Sequence, residues 1–240
     1  MVRLGLAAAR AGRRPLSGQF QPYNHTLPDR YPWLFRFAAR ALVERSNPNI
    51  LSFGCSEGDE VFALAKYFPY ATIRGIDIDP RNIARCRARG REGSRERLSF
   101  GEASTTQAEP SSSYDALFCL AVLCNGDLTN SGAKRCDPVI TFDAFERIVT
   151  DFARCLKPGG LLFLHTANFR FCDTAISAEF DVVLKAEPCQ LANDVLFDRG
   201  NRLMRNTRYH DIGFRKRPIE VKERVTGSTA TQDDQAWLSA

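Results

Sequence analysis

Short apolar runs alternate along the middle of the chain with segments whose apolar residues recur at helical spacing. Five runs predict strands, namely Ile50–Phe53, Thr72–Ile78, Leu98–Ala103, Tyr114–Leu123 and Leu161–Thr166. Three weaker strand candidates follow at Asp181–Ala186, Asp194–Phe197 and Asp211–Phe214. The continuous apolar run at Tyr114 is typical of a strand buried on both faces of a parallel sheet. The alternation predicts a doubly wound α/β sheet.

Helix signals lie between these runs. Pro32 suits a first helical turn, and a second helix is predicted from Asp59 to Tyr67. Asp79-Pro80 begins a third helix, for which Gly90 is a plausible stop. A fourth begins near Asp143 and is predicted to end at Lys157-Pro158-Gly159-Gly160.

The composition of the chain indicates one domain with two polar ends. We expect a basic, disordered tail at 1–20, a single domain at 21–217 and a polar tail at 218–240. The arginines of 1–20 also resemble a mitochondrial presequence, but we favour the tail and a cytoplasmic location. No apolar run approaches the ~18 residues of a membrane span, so we expect no membrane partner.

Eight cysteines are scattered singly, which favours reduced thiols packed as small hydrophobic groups. Cys119, Cys124 and Cys136 match no usual zinc-ligand spacing, so we expect no metal site.

The net charge of +5 permits an acidic partner without requiring one. Five arginines lie on the predicted third helix, at positions 81, 85, 87, 89 and 91. They could contact nucleic acid, but no aromatic residues are interleaved to stack on bases. We therefore favour a solvated outer helix face.

A glycine turn follows the first strand, and an acidic residue follows the second. Gly54 and Gly58 precede a helix, and Asp77 comes nineteen residues after Gly58. This is the sequence outline of a nucleotide-type cofactor site. In a doubly wound sheet, ligands bind outside the carboxyl ends of the strands, where these residues are predicted to lie.

The charges near the turn narrow the choice of cofactor. Ser56 and Asp59 stand where a dinucleotide-binding loop would need glycine, and no P-loop pattern is present. Carboxylates at Glu57, Asp59 and Glu60 would repel a pyrophosphate at the start of the helix. A positively charged cofactor with a ribose and no phosphate fits better, and S-adenosylmethionine has these properties. An oxidoreductase is therefore a distant alternative.

Residues 50 to about 167 resemble the class I S-adenosylmethionine-dependent methyltransferases. Phe53–Glu60 is similar to the family's first motif, most closely in the G-C-S-x-G-x-E form of chemotaxis-receptor methyltransferases. Gly75–Pro80 resembles the second motif, Phe100–Ala103 the "G-D-A" segment, and Lys157–Leu161 the turn before the fifth strand. No Asn/Asp-Pro-Pro-Tyr follows the fourth strand, which argues against the amino-methylating nucleic-acid enzymes.

The resemblance implies a Rossmann-like fold with a mostly parallel seven-stranded sheet and helices on both faces. It also implies that Asp77 holds the ribose, Ile78 flanks the adenine and Glu102 lies at the adenine amino group. The residues that we expect to bind S-adenosylmethionine are Gly54, Cys55, Ser56, Gly58, Asp77, Ile78, Glu102, Ala103 and Leu120.

The predicted function is therefore methyl transfer by direct displacement to an acceptor that the sequence does not identify. Such a reaction needs alignment of two groups more than it needs a base. His165 is a weak candidate for a base, and a packed histidine is equally consistent with its position. The alternative is a non-catalytic binding or regulatory module that keeps the cofactor fold, with nucleic acid as one candidate ligand for its arginine helix.

Three segments are expected to frame the acceptor, which we expect to be a small molecule or a protein side chain rather than nucleic acid. They are Tyr23–Tyr31, the long polar loop Asn125–Pro138, and Asn168–Asp173. Tyr23–Tyr31 could equally serve only as a capped helix start. A loop as long as Asn125–Pro138 is usually a functional lid or a mobile insertion.

Overall fold

Seven strands form one mostly parallel sheet, as the sequence predicts. The computed structural model describes residues 19–24, 26–91, 96–191 and 195–218. The strands of the sheet are β1 (Asn49–Phe53), β2 (Thr72–Asp77), β3 (Leu98–Glu102), β4 (Tyr114–Leu120), β5 (Leu156–His165), β6 (Phe180–Lys185) and β9 (Asp211–Lys216). Their order is β3-β2-β1-β4-β5-β9-β6. The first five are parallel, and β9 is antiparallel to both β5 and β6.

The strand order reverses between β1 and β4, the two central strands that carry the glycine turn and Leu120 at their ends. Ligands of doubly wound sheets bind at this switch point, outside the carboxyl ends of the strands. The sheet therefore places the predicted cofactor residues where this class of fold binds its ligands. A separate hairpin is formed by β7 (Leu196–Phe197) and β8 (Leu203–Met204).

Helices cover both faces of the sheet. They are α1 (Pro32–Ala41), α2 (Asp59–Tyr67), α3 (Pro80–Arg91), α4 (Gly126–Ser131) and α5 (Phe142–Cys155). Apolar side chains of α1, α2 and α3 join one buried cluster, and those of α4 and α5 join another. Each helix thus buries one apolar stripe against the sheet, which is the pattern that stabilises three-layer folds.

The buried strand β4 contains one charged residue, Asp115. All seven of its residues are buried, including Asp115. The Asp115 carboxylate accepts hydrogen bonds from Lys157 Nζ at 2.8 Å and from the Asn49 backbone N–H at 2.9 Å. The charge is therefore compensated where it is buried.

Several predicted boundaries are wrong, for local reasons. β4 ends at Leu120 rather than Leu123 because Ala121 adopts a left-handed conformation with φ of 60°. β5 already begins at Leu156, which pairs with Tyr114 across a register shift, so the predicted turn at Lys157–Gly160 lies within the span of the strand. Gly90 does not end α3, which continues to Arg91.

Two longer segments also differ from expectation. The predicted loop Asn125–Pro138 contains α4, which Asn125 caps by accepting a hydrogen bond from the Asp127 N–H at 3.0 Å. The expected tails lie outside the described residues except at Gln19, Phe20 and residue 218. Phe20 is buried in the core, so the folded domain begins before residue 21. Asp194, the predicted start of one strand, is also outside the described residues.

Candidate functional site

The glycine turn bends sharply from the end of β1 into α2. Gly54, Ser56 and Gly58 all have positive φ, at 74°, 51° and 91°. A Cβ on Gly54 would lie 2.5 Å from the Val122 side chain, so both the backbone conformation and the packing require glycine there. The N–H groups of Gly54 and Cys55 donate to the Ile76 carbonyl, which fixes the turn beside the end of β2.

Asp77 connects this turn to the start of α3. Its Oδ2 accepts a hydrogen bond from the Ser56 N–H at 2.8 Å. Its Oδ1 accepts from the Asp79 N–H at 2.9 Å and from Asn82 Nδ2 at 3.0 Å. Asp77 is 7% exposed. The carboxylate is thus held by N–H donors at the edge of the cleft described next.

A cleft of about 1070 Å³ lies outside the carboxyl ends of the central strands. Among the predicted cofactor residues, those that line it are Gly54, Cys55, Ser56, Asp77, Ile78, Ala103 and Leu120. Gly58 lies instead at the N-cap of α2. Glu102 is exposed and lies beside Asp77 in the register of β2 and β3, but it does not line the cleft. Its contact with adenine therefore stays a prediction.

Glu60 is a cleft residue that the sequence-based prediction did not assign to the cofactor. Burial raises the pKa of its carboxyl to about 7, although the hydroxyl of Ser52 donates to it at 2.7 Å and the charge of Arg30 partly offsets the shift. Arg30 lines the same cleft. A signal existed in the sequence, because Glu60 is the acidic position of the G-C-S-x-G-x-E motif.

The other two acidic residues of the turn do not face the cleft. Glu57 forms an ion pair with Arg85, and Asp59 forms one with Arg89 at 2.8 Å. The expected repulsion of a phosphate at this turn therefore depends on Glu60, which lines the cleft. The same pairs neutralise part of the arginine face of α3, as a solvated helix face would require.

A covering segment, residues 19–24 and 26–31, crosses the cleft before α1 begins. Asn24 Oδ1 accepts hydrogen bonds from Ser56 Oγ at 2.8 Å and from Asn82 Nδ2 at 3.1 Å. At the other side, the Tyr23 hydroxyl donates to the Asp127 carboxylate at 2.9 Å. The segment thus contacts both the cofactor side of the cleft and α4. His25, which belongs to the predicted segment Tyr23–Tyr31, lies outside the described residues.

His165 does not line this cleft. It lies at the end of β5, 5% exposed, with its ring packed edge-on against Tyr31 at a centroid distance of 5.0 Å. Its Nε2 lies 2.9 Å from the Gln190 carbonyl and its Nδ1 lies 2.8 Å from Thr166 Oγ1. Burial lowers its pKa, so the neutral ring is favoured. These contacts are those of a packed histidine, and a role as a base stays a prediction.

Tyr31 does line the cleft, and its hydroxyl is notable. The atom is buried and, among the described residues, has no hydrogen-bond partner. Burial also raises the pKa of the phenol, which keeps its proton at neutral pH. An unsatisfied buried donor at a cleft wall is a group that a bound molecule could satisfy.

The described residues include no group of three or more histidine, cysteine, aspartate or glutamate side chains suited to a metal ion. None of the eight cysteines, all of them among the described residues, forms a disulfide bond, and six of them are buried. Burial raises the pKa of the Cys119 thiol well above its ordinary value, which favours the packed, protonated form. Among the helices described, none is long and apolar enough to cross a membrane.

Comparison with known proteins identifies the central part of the chain. Residues 51–164 match the model of a methyltransferase domain family. This range holds the glycine turn, Asp77 and the carboxyl ends of the first four strands. No curated protein matches the chain.

Solved structures with related folds are similar only at a distance. The YcgJ protein from Bacillus subtilis is 19% identical with a TM-score of 0.43, over 56% of this chain and 51% of that one. A putative sarcosine dimethylglycine methyltransferase from Galdieria sulphuraria is 19% identical with a TM-score of 0.42, over 55% and 44%. Coclaurine N-methyltransferase, bound to N-methylheliamine and SAH, is 12% identical with a TM-score of 0.41, over 55% and 34%.

The matched region thus spans about half or less of these relatives, and likenesses this weak carry no argument about ligand or activity. The sheet order and the family model are the informative findings. The chain therefore has a doubly wound, Rossmann-like α/β fold, and its residues 51–164 match the methyltransferase domain family.

Proposed function

We propose that the protein is an S-adenosylmethionine-dependent methyltransferase that moves a methyl group to its acceptor by direct displacement. The observation that carries this proposal is the cleft in which the glycine turn, Asp77 and Leu120 meet at the switch point of the sheet. The match of residues 51–164 to a methyltransferase domain family supports the same conclusion.

The nucleoside part of the cofactor fits the Asp77 side of the cleft. The Asp77 carboxylate accepts hydrogen bonds from Ser56, Asp79 and Asn82, and ribose hydroxyls would share it with these donors or replace some of them. Ile78 and Ala103 line the cleft beside it and offer apolar surface to the adenine. Gly54 lines the same cleft at the turn between β1 and α2.

The amino-acid part of the cofactor fits Glu60 and Arg30. This part carries an ammonium and a carboxylate, and the two side chains line the cleft with opposite charges when Glu60 is ionised. An ammonium beside Glu60 favours the ionised carboxyl, so binding of the cofactor should lower the pKa of Glu60 from about 7. Arg30 would receive the carboxylate.

When bound, the cofactor supplies the methyl group on a sulfonium. The protein's contribution is to align the acceptor with that group and to exclude water. The covering segment, Leu120 at the end of β4 and the three residues after it line the part of the cleft left for the acceptor. We propose a small molecule or a protein side chain as the acceptor, since arginines 85 and 89 of α3 are engaged with Glu57 and Asp59. The free thiols favour a cytoplasmic location.

Titration calorimetry tests the cofactor assignment. We expect S-adenosylmethionine and S-adenosylhomocysteine to bind the wild-type protein, and ATP and NAD to bind far more weakly. Asp77→Ala should weaken binding of S-adenosylhomocysteine about tenfold or more, because hydrogen bonds to a charged group contribute ~1.5–3 kcal/mol.

Asp59→Ala is the matched control. It removes a carboxylate from the same turn, but one that pairs with Arg89 and does not line the cleft. We expect it to bind like wild type, and thermal melting would show that both variants are folded. Equal affinity in wild type and Asp77→Ala would refute the assignment.

A further inference from the structure

A second cavity of about 1060 Å³ lies beyond the carboxyl end of β5. It shares no lining residue with the cofactor cleft. Its apolar part is formed by Leu164, Phe169, Phe171, Leu196 and Ile212, all of them buried. Aromatic and aliphatic side chains of this kind can contact the apolar body of a small molecule.

His165 and Thr166 form the wall between this cavity and the cleft. The His165 ring lines the second cavity and packs against the ring of Tyr31, which lines the cleft. These two aromatic side chains therefore lie between the cavity and the cleft. Both ring nitrogens of His165 already have partners, at Gln190 and Thr166. The histidine therefore separates the two cavities and offers no free group to a ligand in either.

The mouth of the second cavity is positively charged. Arg208 is exposed there, and the described residues give it no ion pair. The acidic residue of the lining, Asp211, is paired with Lys185 at 3.3 Å. Arg208 is thus a cation beside a cavity lined by both apolar and polar residues, and its planar guanidinium suits a carboxylate.

The backbone at the cavity is also unusual. Thr166 has a φ of 59°, a conformation that a β-branched residue rarely adopts. Asn206, next to the lining residue Thr207, has a φ of 54°. Strained residues of this kind concentrate at binding sites, where the surrounding structure holds them in place.

We propose that the second cavity binds an amphipathic carboxylate, with its apolar body among the buried side chains and its carboxylate beside Arg208. This site is separate from the cofactor cleft, and the proposal does not depend on methyl transfer. The proposed ligand is therefore additional to the cofactor and its methyl acceptor.

Fluorescence titration with 2-naphthoate and its neutral isostere 2-naphthamide tests the proposal. We expect the wild-type protein to bind the carboxylate about threefold to tenfold more tightly than the amide. Arg208→Gln should abolish this preference. Arg205→Gln removes a charge from the same loop outside the lining, and should keep the preference within about twofold.

Two further variants locate the bound probe. Thr207→Trp places a large side chain in the cavity from its partly buried rim and should block binding, while circular dichroism confirms the fold. Glu60→Gln alters the cofactor cleft and should leave naphthoate affinity unchanged. The proposal is overturned if wild type does not bind 2-naphthoate, if Arg208→Gln keeps the preference, or if Glu60→Gln and not Thr207→Trp changes the affinity.

Discussion

Asp77 and Glu60 line the same cleft, but their surroundings differ. Asp77 accepts hydrogen bonds from two backbone N–H groups and from Asn82, and these donors stabilise its negative charge. For Glu60, burial raises the pKa to about 7 despite the hydrogen bond from Ser52. The charge of Glu60 therefore changes near neutral pH.

This difference predicts a pH-dependent affinity for S-adenosylhomocysteine. Below pH 7 Glu60 is protonated and does not attract the ligand's ammonium, whereas above pH 7 it is ionised and does. We expect the affinity to rise about tenfold between pH 6 and pH 8, because a ligand that binds the ionised form must displace the proton at low pH. Calorimetry across this range measures the effect.

Glu60→Gln is the control for that titration. Its amide still accepts the hydrogen bond from Ser52 but has no charge to titrate. The variant should bind more weakly at pH 8 and show a flat profile. The same slope in both proteins would assign the pH dependence to another group.

At the scale of elements, the glycine turn and the strand ends determine the geometry of the cleft. Gly54 reverses the chain after β1, and Ala121 and Thr166 end β4 and β5 with left-handed conformations. The Ala121 N–H donates to the His165 carbonyl at 2.8 Å, which holds these two strand ends together. The cleft therefore depends on tight turns at three neighbouring strand ends.

Gly54→Ala should disrupt this arrangement. The new Cβ would overlap the Val122 side chain, and alanine disfavours a φ of 74°. We expect a loss of about 2 kcal/mol or more in unfolding free energy, together with weaker binding of S-adenosylhomocysteine. Thermal melting and calorimetry measure the two effects.

Gly126→Ala is the matched control in α4. A Cβ added at Gly126 would meet no heavy atom within 4 Å, and the φ of this residue is not left-handed. Alanine there should stabilise the protein slightly, by about 0.4–1 kcal/mol. A stable, fully binding Gly54→Ala would contradict the role given to the turn.

The sequence predicted those parts of the site that depend on local spacing. Gly54 and Asp77 end adjacent strands, so periodicity and turn residues place them together. Arg30 and Asn24 come from a segment well before β1, whose position over the cleft depends on tertiary packing. The end of β4 was misplaced because its apolar run continues past Ala121, whose φ of 60° ends the strand.

At the scale of the molecule, both cavities lie at the carboxyl ends of the parallel strands. The cofactor cleft lies at the switch point between β1 and β4, and the second cavity lies next to it, beyond β5. The five parallel strands were predictable from their buried apolar runs. The antiparallel placement of β9 between β5 and β6 was not, since the weak alternation of these short strands does not specify their order.

Transfer of labelled methyl groups tests the central claim most directly. The protein would be incubated with S-adenosylmethionine labelled in its methyl group and with a lysate of the source organism, followed by separation of protein, RNA and small molecules. We predict label in the small-molecule or protein fraction with wild type, and much less label with Asp77→Ala when the cofactor concentration is limiting. Wild-type protein that binds S-adenosylhomocysteine but transfers no label to any fraction would contradict the account and indicate a non-catalytic binding module.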